Sequence, residues 1–209
     1  MTTAQRPISY ADRVITAARE VFAEQGFNAP ISEVAARAGV GVASIYRRYP
    51  SKTQLAEEVR ISCLQRIATE AAEARAAEAD PWRAFTRFLF RCLAEDSGVG
   101  TVLPPDDQPH SPEYRQARQE MSEAVEALVR AAHEAGELRG DFVAADVVLL
   151  FKHLNPALPT DEPRRAELRS RYLALAIEGL RASGARAALP GAEPDWSEVH
   201  AMREPDDLA

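Results

Sequence analysis

The run GVGVASIYRRYPSK, Gly39 to Lys52, places two tyrosines, two adjacent arginines, a proline and a lysine within fourteen residues of a chain whose formal net charge is -7. Those side chains suit a polyanion. An arginine fork can grip guanine O6 and N7 with two hydrogen bonds, and small residues let a helix approach base edges closely. Tyrosine and lysine reach phosphates, which position a protein without reading sequence. If residues 42–49 are helical, Ala43, Ser44 and Arg47 share one outward side, with Tyr46 and Arg48 on its flanks. Val42, Ile45 and Tyr49 fall on the other side, to pack on Val34, Ala35 and Phe22. Lys52 is placed for a phosphate, and a helix N-terminus at Ser51 adds its dipole.

The charge balance agrees with that reading. Residues 1–56 carry seven basic and four acidic side chains, a net of +3, and the remainder carries a net of -10. A polyanion is attracted to the first part and repelled by the second. Chemistry of other kinds has little support. Cys63 and Cys92 show no metal spacing, the four histidines (110, 133, 153, 200) are scattered, and neither G-x-S-x-G nor a phosphate loop occurs. No enzyme, metal or cofactor is expected. No apolar run approaches membrane length and no signal peptide is read at the N-terminus, so the expected setting is the cytoplasm, with no membrane partner. An interaction module with a silent DNA surface is the rival reading, and Tyr46, Arg47, Arg48 and Lys52 argue against it.

The elements that must position these residues are helices. Val14, Ala17, Ala18, Val21 and Phe22 recur at three- and four-residue steps and stop at Gly26. Ile31, Val34, Ala35 and Ala38 repeat the pattern and stop at Gly39. Ser51 to Gln54 reads as a capping box opening a helix from about Lys52 to Ala77. Further helices are expected from Asp80-Pro81, from Ser111-Pro112 to Gly136, from Ala144 to Leu154, and from Pro163 to Ser183. Residues 97–112, rich in Gly and Pro, are expected to form a loop or broken helix. The fold class is all-α: an N-terminal three-helix DNA-binding domain (1–55), a helical bundle (56–183) and a loose tail (184–209).

Two short helices joined by Gly39-Val40-Gly41 have helix-turn-helix spacing. The run VFAEQGFNAPISEVAARAGVGVASIYRRYPSKTQL, residues 21–55, resembles the TetR family of bacterial transcription regulators. Phe22, Gly26 and Phe27 match its F-x-x-x-G-[FY] element. Ile31, Val34, Ala35, Ala38, Gly39 and Val40 match I-x-x-V-A-x-x-A-G-V. Ser44, Ile45, Tyr46, Tyr49 and Lys52 match S-[IL]-Y-x-x-[FY]-x-x-K. The resemblance implies a repressor acting as a homodimer on a double-stranded, palindromic DNA operator, released by a small-molecule effector. It carries Ile31, Ser32, Val42, Ala43, Ser44, Tyr46, Arg47, Arg48 and Lys52 over as the DNA-contacting set. Ala29-Pro30 depart from the threonine common before the second helix, which removes a hydroxyl contact and a cap.

In the C-terminal part, Trp82, Phe85, Phe88, Leu89 and Cys92 form one apolar stripe. Met121, Val125 and Phe151 can close over it, with His153 as a polar anchor. An apolar chamber between bundle helices is a usual ligand site, so a small apolar or aromatic effector is expected there. Leu168, Tyr172, Leu175, Ala176, Gly179 and Leu180 form a second seam on the last helix, and Leu149, Leu150 and Leu154 one on the helix before it. Paired across a two-fold axis, such seams build a four-helix interface. Leu149, Leu168, Tyr172, Leu175 and Gly179 are the expected dimer residues.

Overall fold

A computed structural model of the chain describes residues 9–94, 110–154, 161–184 and 187–201. Among them are nine α-helices and no strand. The all-α expectation therefore holds. The chain divides into two compact units between Ser62 and Cys63. Most of the Gly/Pro-rich stretch expected as a loop (97–109), Asn155 to Thr160, and the tail beyond 201 lie outside the described residues.

In the first unit, α1 (Tyr10–Gln25) opens on a reciprocal capping box between Ser9 and Asp12. Its stripe of Val14, Ala17, Ala18, Val21 and Phe22 is buried, each large side chain contributing about 1.5–3 kcal/mol. Gly26 ends it with φ 76°, a conformation costly for any residue with a Cβ. α2 (Ile31–Ala38) packs on α1 through Ile31, Val34, Ala35 and Ala38. It stops at Gly39, which is left-handed at φ 65° and ψ 41°. Arg37 of α2 also reaches α1, with two 2.7 Å hydrogen bonds to the carboxylate of Glu24. The guanidinium holds the Glu24 carboxyl below its ordinary value. α3 (Val42–Arg48) follows, and α4 (Lys52–Ala77) opens after Ser51, whose Oγ accepts from the Gln54 amide at 3.1 Å.

The second unit contains the rest of α4, α5 (Pro81–Ala94), α6 (Pro112–Glu134), α7 (Ala144–Leu154) and α8 (Glu162–Leu180). Pro at the first or second position and a capping side chain open α6 (Ser111) and α8 (Asp161). Asp80 likewise accepts from the Arg83 amide ahead of Pro81. α5 packs against α6 and α8. One continuous apolar core joins the aromatic stripe of α5 to Met121, Val125 and Leu128 of α6, Phe151 of α7, and Leu173, Ile177 and Leu180 of α8. Glu70 of α4, nearly buried, accepts two 3.1 Å hydrogen bonds from Arg91 of α5.

Three expectations are corrected here. Leu180 is not part of the outer seam of α8; it lies in the core with Leu173 and Ile177. The helix also ends at Leu180 rather than Ser183, because the Leu180 carbonyl accepts from the Arg139 amide and Ala182 donates to Glu137. Residues 187–201 are not a loose tail. Arg139 donates to the Ala187 carbonyl at 2.8 Å, and the Leu189 amide donates to Asp141 at 2.7 Å. A short helix, α9 (Trp196–Ala201), packs on α7, buries Val199, and ties Trp196 Nε1 to Glu126 of α6 at 2.7 Å. Pro190 and Pro194 punctuate this segment, but tertiary contacts hold it.

Candidate nucleic-acid interface

α3 has two unlike sides. Ile45 and the following Tyr49 are buried, as the spacing requires. Ala43, Tyr46, Arg47 and Arg48 are exposed, and Ser44 is half-buried among them. Val42 is 39% exposed, so it joins the outer side rather than the packing side expected for it. As the first residue of the helix, it stands ahead of the turn that Ile45 anchors. Arg47 does not wave freely: its Nη2 donates to Ser44 Oγ at 2.7 Å. That bond uses one of five guanidinium N–H groups and leaves a fork for a base or phosphate. Arg48 lies against its neighbour, its guanidinium carbon 6.0 Å from the Tyr49 ring centroid. Burial pushes the Tyr49 hydroxyl above its ordinary value, partly offset by Arg48.

Two residues of the expected DNA set sit elsewhere. Ile31 is only 6% exposed and belongs to the core between α1 and α2, so its side chain offers no contact surface. Its neighbour Ser32 is exposed. Lys52 turns inward. Its Nζ donates to the Ala29 carbonyl and lies 4.8 Å from the Phe27 ring centroid and 5.8 Å from that of Phe22. Desolvation lowers its pKa.

The expected effector residues are brought together, with one exception. Trp82, Phe85, Phe88, Leu89, Cys92, Met121, Val125 and Phe151 are buried members of one cluster. His153 is not: it is exposed, and its Nδ1 is 2.7 Å from the Leu149 carbonyl one turn back. A histidine near the end of α7 satisfies its own helix instead of pointing into the core. Phe142, which the sequence reading passed over because it lies in a connection, packs edge-on to Phe85 at 6.0 Å. Arg181 lies over Trp82 at 4.6 Å. Of the seam residues, Tyr172 and Leu175 are 56% and 60% exposed, Gly179 is exposed, and Leu149 and Leu168 are half-buried. Among the described residues no cluster of His, Cys, Asp or Glu could hold a metal, and no helix is long and apolar enough to cross a membrane.

Residues 14–59 match the family of bacterial regulatory proteins named for TetR, and residues 64–182 match the C-terminal domain of SbtR-like transcriptional regulators. The chain belongs to the TetR family. A TetR transcriptional regulator from Streptomyces coelicolor is similar to it at 28% identity and a TM-score of 0.56, over 82% of this chain and 98% of that one. A TetR regulator from Mycobacterium vanbaalenii is similar at 26% identity and 0.57, over 81% and 93%. No curated protein matches the chain. TetR-family members are DNA-binding transcription regulators and not enzymes. The TetR-family match to the C-terminal domain ends at 182, so the strap of 187–201 lies beyond it.

Proposed function

We propose that this TetR-family regulator is a cytoplasmic repressor that binds a palindromic operator as a homodimer and is released by a small apolar or aromatic effector. The observation that carries the reading is the outer side of α3, where Ala43, Tyr46 and Arg48 flank an Arg47 already braced on Ser44. Small residues there admit the helix to a major groove, and the braced guanidinium loses less freedom on meeting guanine. In this assignment Ala43, Ser44 and Arg47 face bases, while Ser32, Val42, Tyr46 and Arg48 meet the sugar-phosphate backbone. Residues 1–55 do the reading, and 56–183 provide the effector site and the dimer face. Tyr172, Leu175 and Gly179, with Leu149 and Leu168, are the proposed seam, because large apolar side chains left exposed on a helix mark an interaction surface. The buried aromatic cluster around Phe85 and Phe88 is the proposed effector site. Effector binding weakens DNA binding through α4, one uninterrupted helix from Lys52 to Ala77.

Selection of bound fragments from a random duplex library tests this reading. The expected product is a two-fold-related motif whose half-site centres lie about one helical turn, ~34–36 Å, or a wider multiple apart. Recovery of fragments without a shared motif would refute sequence-specific operator binding.

A further inference from the structure

We infer that Lys52 is a positioning residue that staples together the two ends of the helix-turn-helix, and is not a phosphate contact. The inference rests on the proposed reading by α3. Residues 31–48 form α2, the turn and α3. Ala29 stands just before this pair and Lys52 just after it. The hydrogen bond from Lys52 Nζ to the Ala29 carbonyl therefore closes the pair into a loop across 23 residues.

The surroundings of that bond fit a cation. The ammonium lies over the face of Phe27 at 4.8 Å and near Phe22 at 5.8 Å, and these two rings are themselves in tilted contact at 5.8 Å. Aromatic faces and a carbonyl oxygen together replace part of the water that an ammonium loses on burial. Burial strips water from the Lys52 ammonium and so lowers its pKa. The chain's choice of residue points the same way. Of its 25 basic side chains only Lys52 and Lys152 are lysines. An ammonium is a compact point charge that fits between a carbonyl and two rings, whereas the planar guanidinium favoured elsewhere in the chain is broader and directs its donors into a fork.

A staple acts on the angle at which α3 is presented, because α2 and α3 are held at both ends instead of one. A phosphate contact acts only through charge. The two roles separate in salt dependence: each lost phosphate contact flattens the plot of log affinity against log salt by about 0.9. Lys52→Met keeps the apolar stem and removes the charge. Its affinity for the tightest duplex selected by the wild-type chain is expected to fall about 10-fold, with the salt slope unchanged, and its affinity for a scrambled duplex to fall less than about 3-fold, since only phosphate positioning survives misalignment of α3. Phe27→Leu, which leaves Lys52 in place, is expected to weaken selected-duplex binding in the same manner, and the double variant to be no weaker than Lys52→Met alone. In the free protein, the ε-methylene protons of Lys52 are expected upfield of those of Lys152 through the Phe27 ring current, and to lose that shift in Phe27→Leu. A salt slope flattened by about 0.9 per protomer, with equal losses on both duplexes, would assign Lys52 to a phosphate and overturn the staple. So would a Lys52 signal at the Lys152 position in the wild type. If α3 were not the reading helix, Arg47→Ala, run alongside, would keep the wild-type base preference while the ring-current shift persisted.

Discussion

Leu175→Asp is expected to leave each protomer folded and to weaken operator binding by about two orders of magnitude or more. The side chain is 60% exposed on α8, one turn from the equally exposed Tyr172, so a carboxylate there meets water in a single protomer. In the proposed dimer the same carboxylate would be buried against its two-fold copy without a cation. An unpaired buried charge costs several kcal/mol, and each 1.4 kcal/mol is about a tenfold change in affinity. Losing the dimer leaves one recognition helix per particle, with half the phosphate contacts. Sedimentation would show a monomer, circular dichroism an unchanged helix content, and titration with the selected duplex the loss of affinity. A Leu175→Asp protein that remains dimeric and binds normally would remove this seam from the interface.

Phe88→Ala is expected to destabilise the C-terminal unit by ~3–5 kcal/mol, while Phe90→Ala, two residues along the same helix, changes stability by no more than about 0.5 kcal/mol. Phe88 is fully buried in the α5–α6–α7–α8 core, whereas Phe90 is 40% exposed. The first truncation loses the transfer free energy of a ring and leaves a cavity lined by apolar side chains; the second loses little contact. Urea unfolding followed by circular dichroism separates the two. A small apolar molecule able to enter the cavity should restore part of the lost stability in proportion to its binding. Equal stability losses in the two variants would show that the α5 stripe does not face the core as described.

The fold was largely legible because its helices advertise themselves. The α2 limits, Ile31 to Ala38, follow from a three-four apolar spacing closed by Gly39, and the α4, α5 and α6 starts follow from Ser51, Asp80-Pro81 and Ser111-Pro112. The opposition of Ile45 and Tyr49 to Tyr46 and Arg47 was legible for the same reason: helical phase alone decides it. What stayed hidden depends on contacts between distant segments. Nothing around Lys52 in the sequence says that Ala29 and Phe27 come to meet it. Ile31 carried two readings at once, core and DNA, and only packing on α1 chooses the core. His153 read as an anchor by composition, yet its ring lies beside a carbonyl of its own helix. The strap of 187–201 was misread because α9 has only six residues, too few for periodicity to show, and its hold comes from Arg139, Asp141 and Glu126 far away in the chain.

The central claim is that the outer side of α3 reads bases through Arg47. It is tested most directly by measuring wild-type and Arg47→Ala affinities for the selected duplex and for each of its single base-pair substitutions. The account predicts that Arg47→Ala loses ~1–3 kcal/mol on the selected duplex and becomes indifferent to one base pair per half-site, with discrimination elsewhere retained. On this account the Arg47 guanidinium, which donates to Ser44 Oγ, is the group whose loss removes that discrimination. An Arg47→Ala protein with the wild-type affinity and the wild-type preference at every base pair would contradict the account.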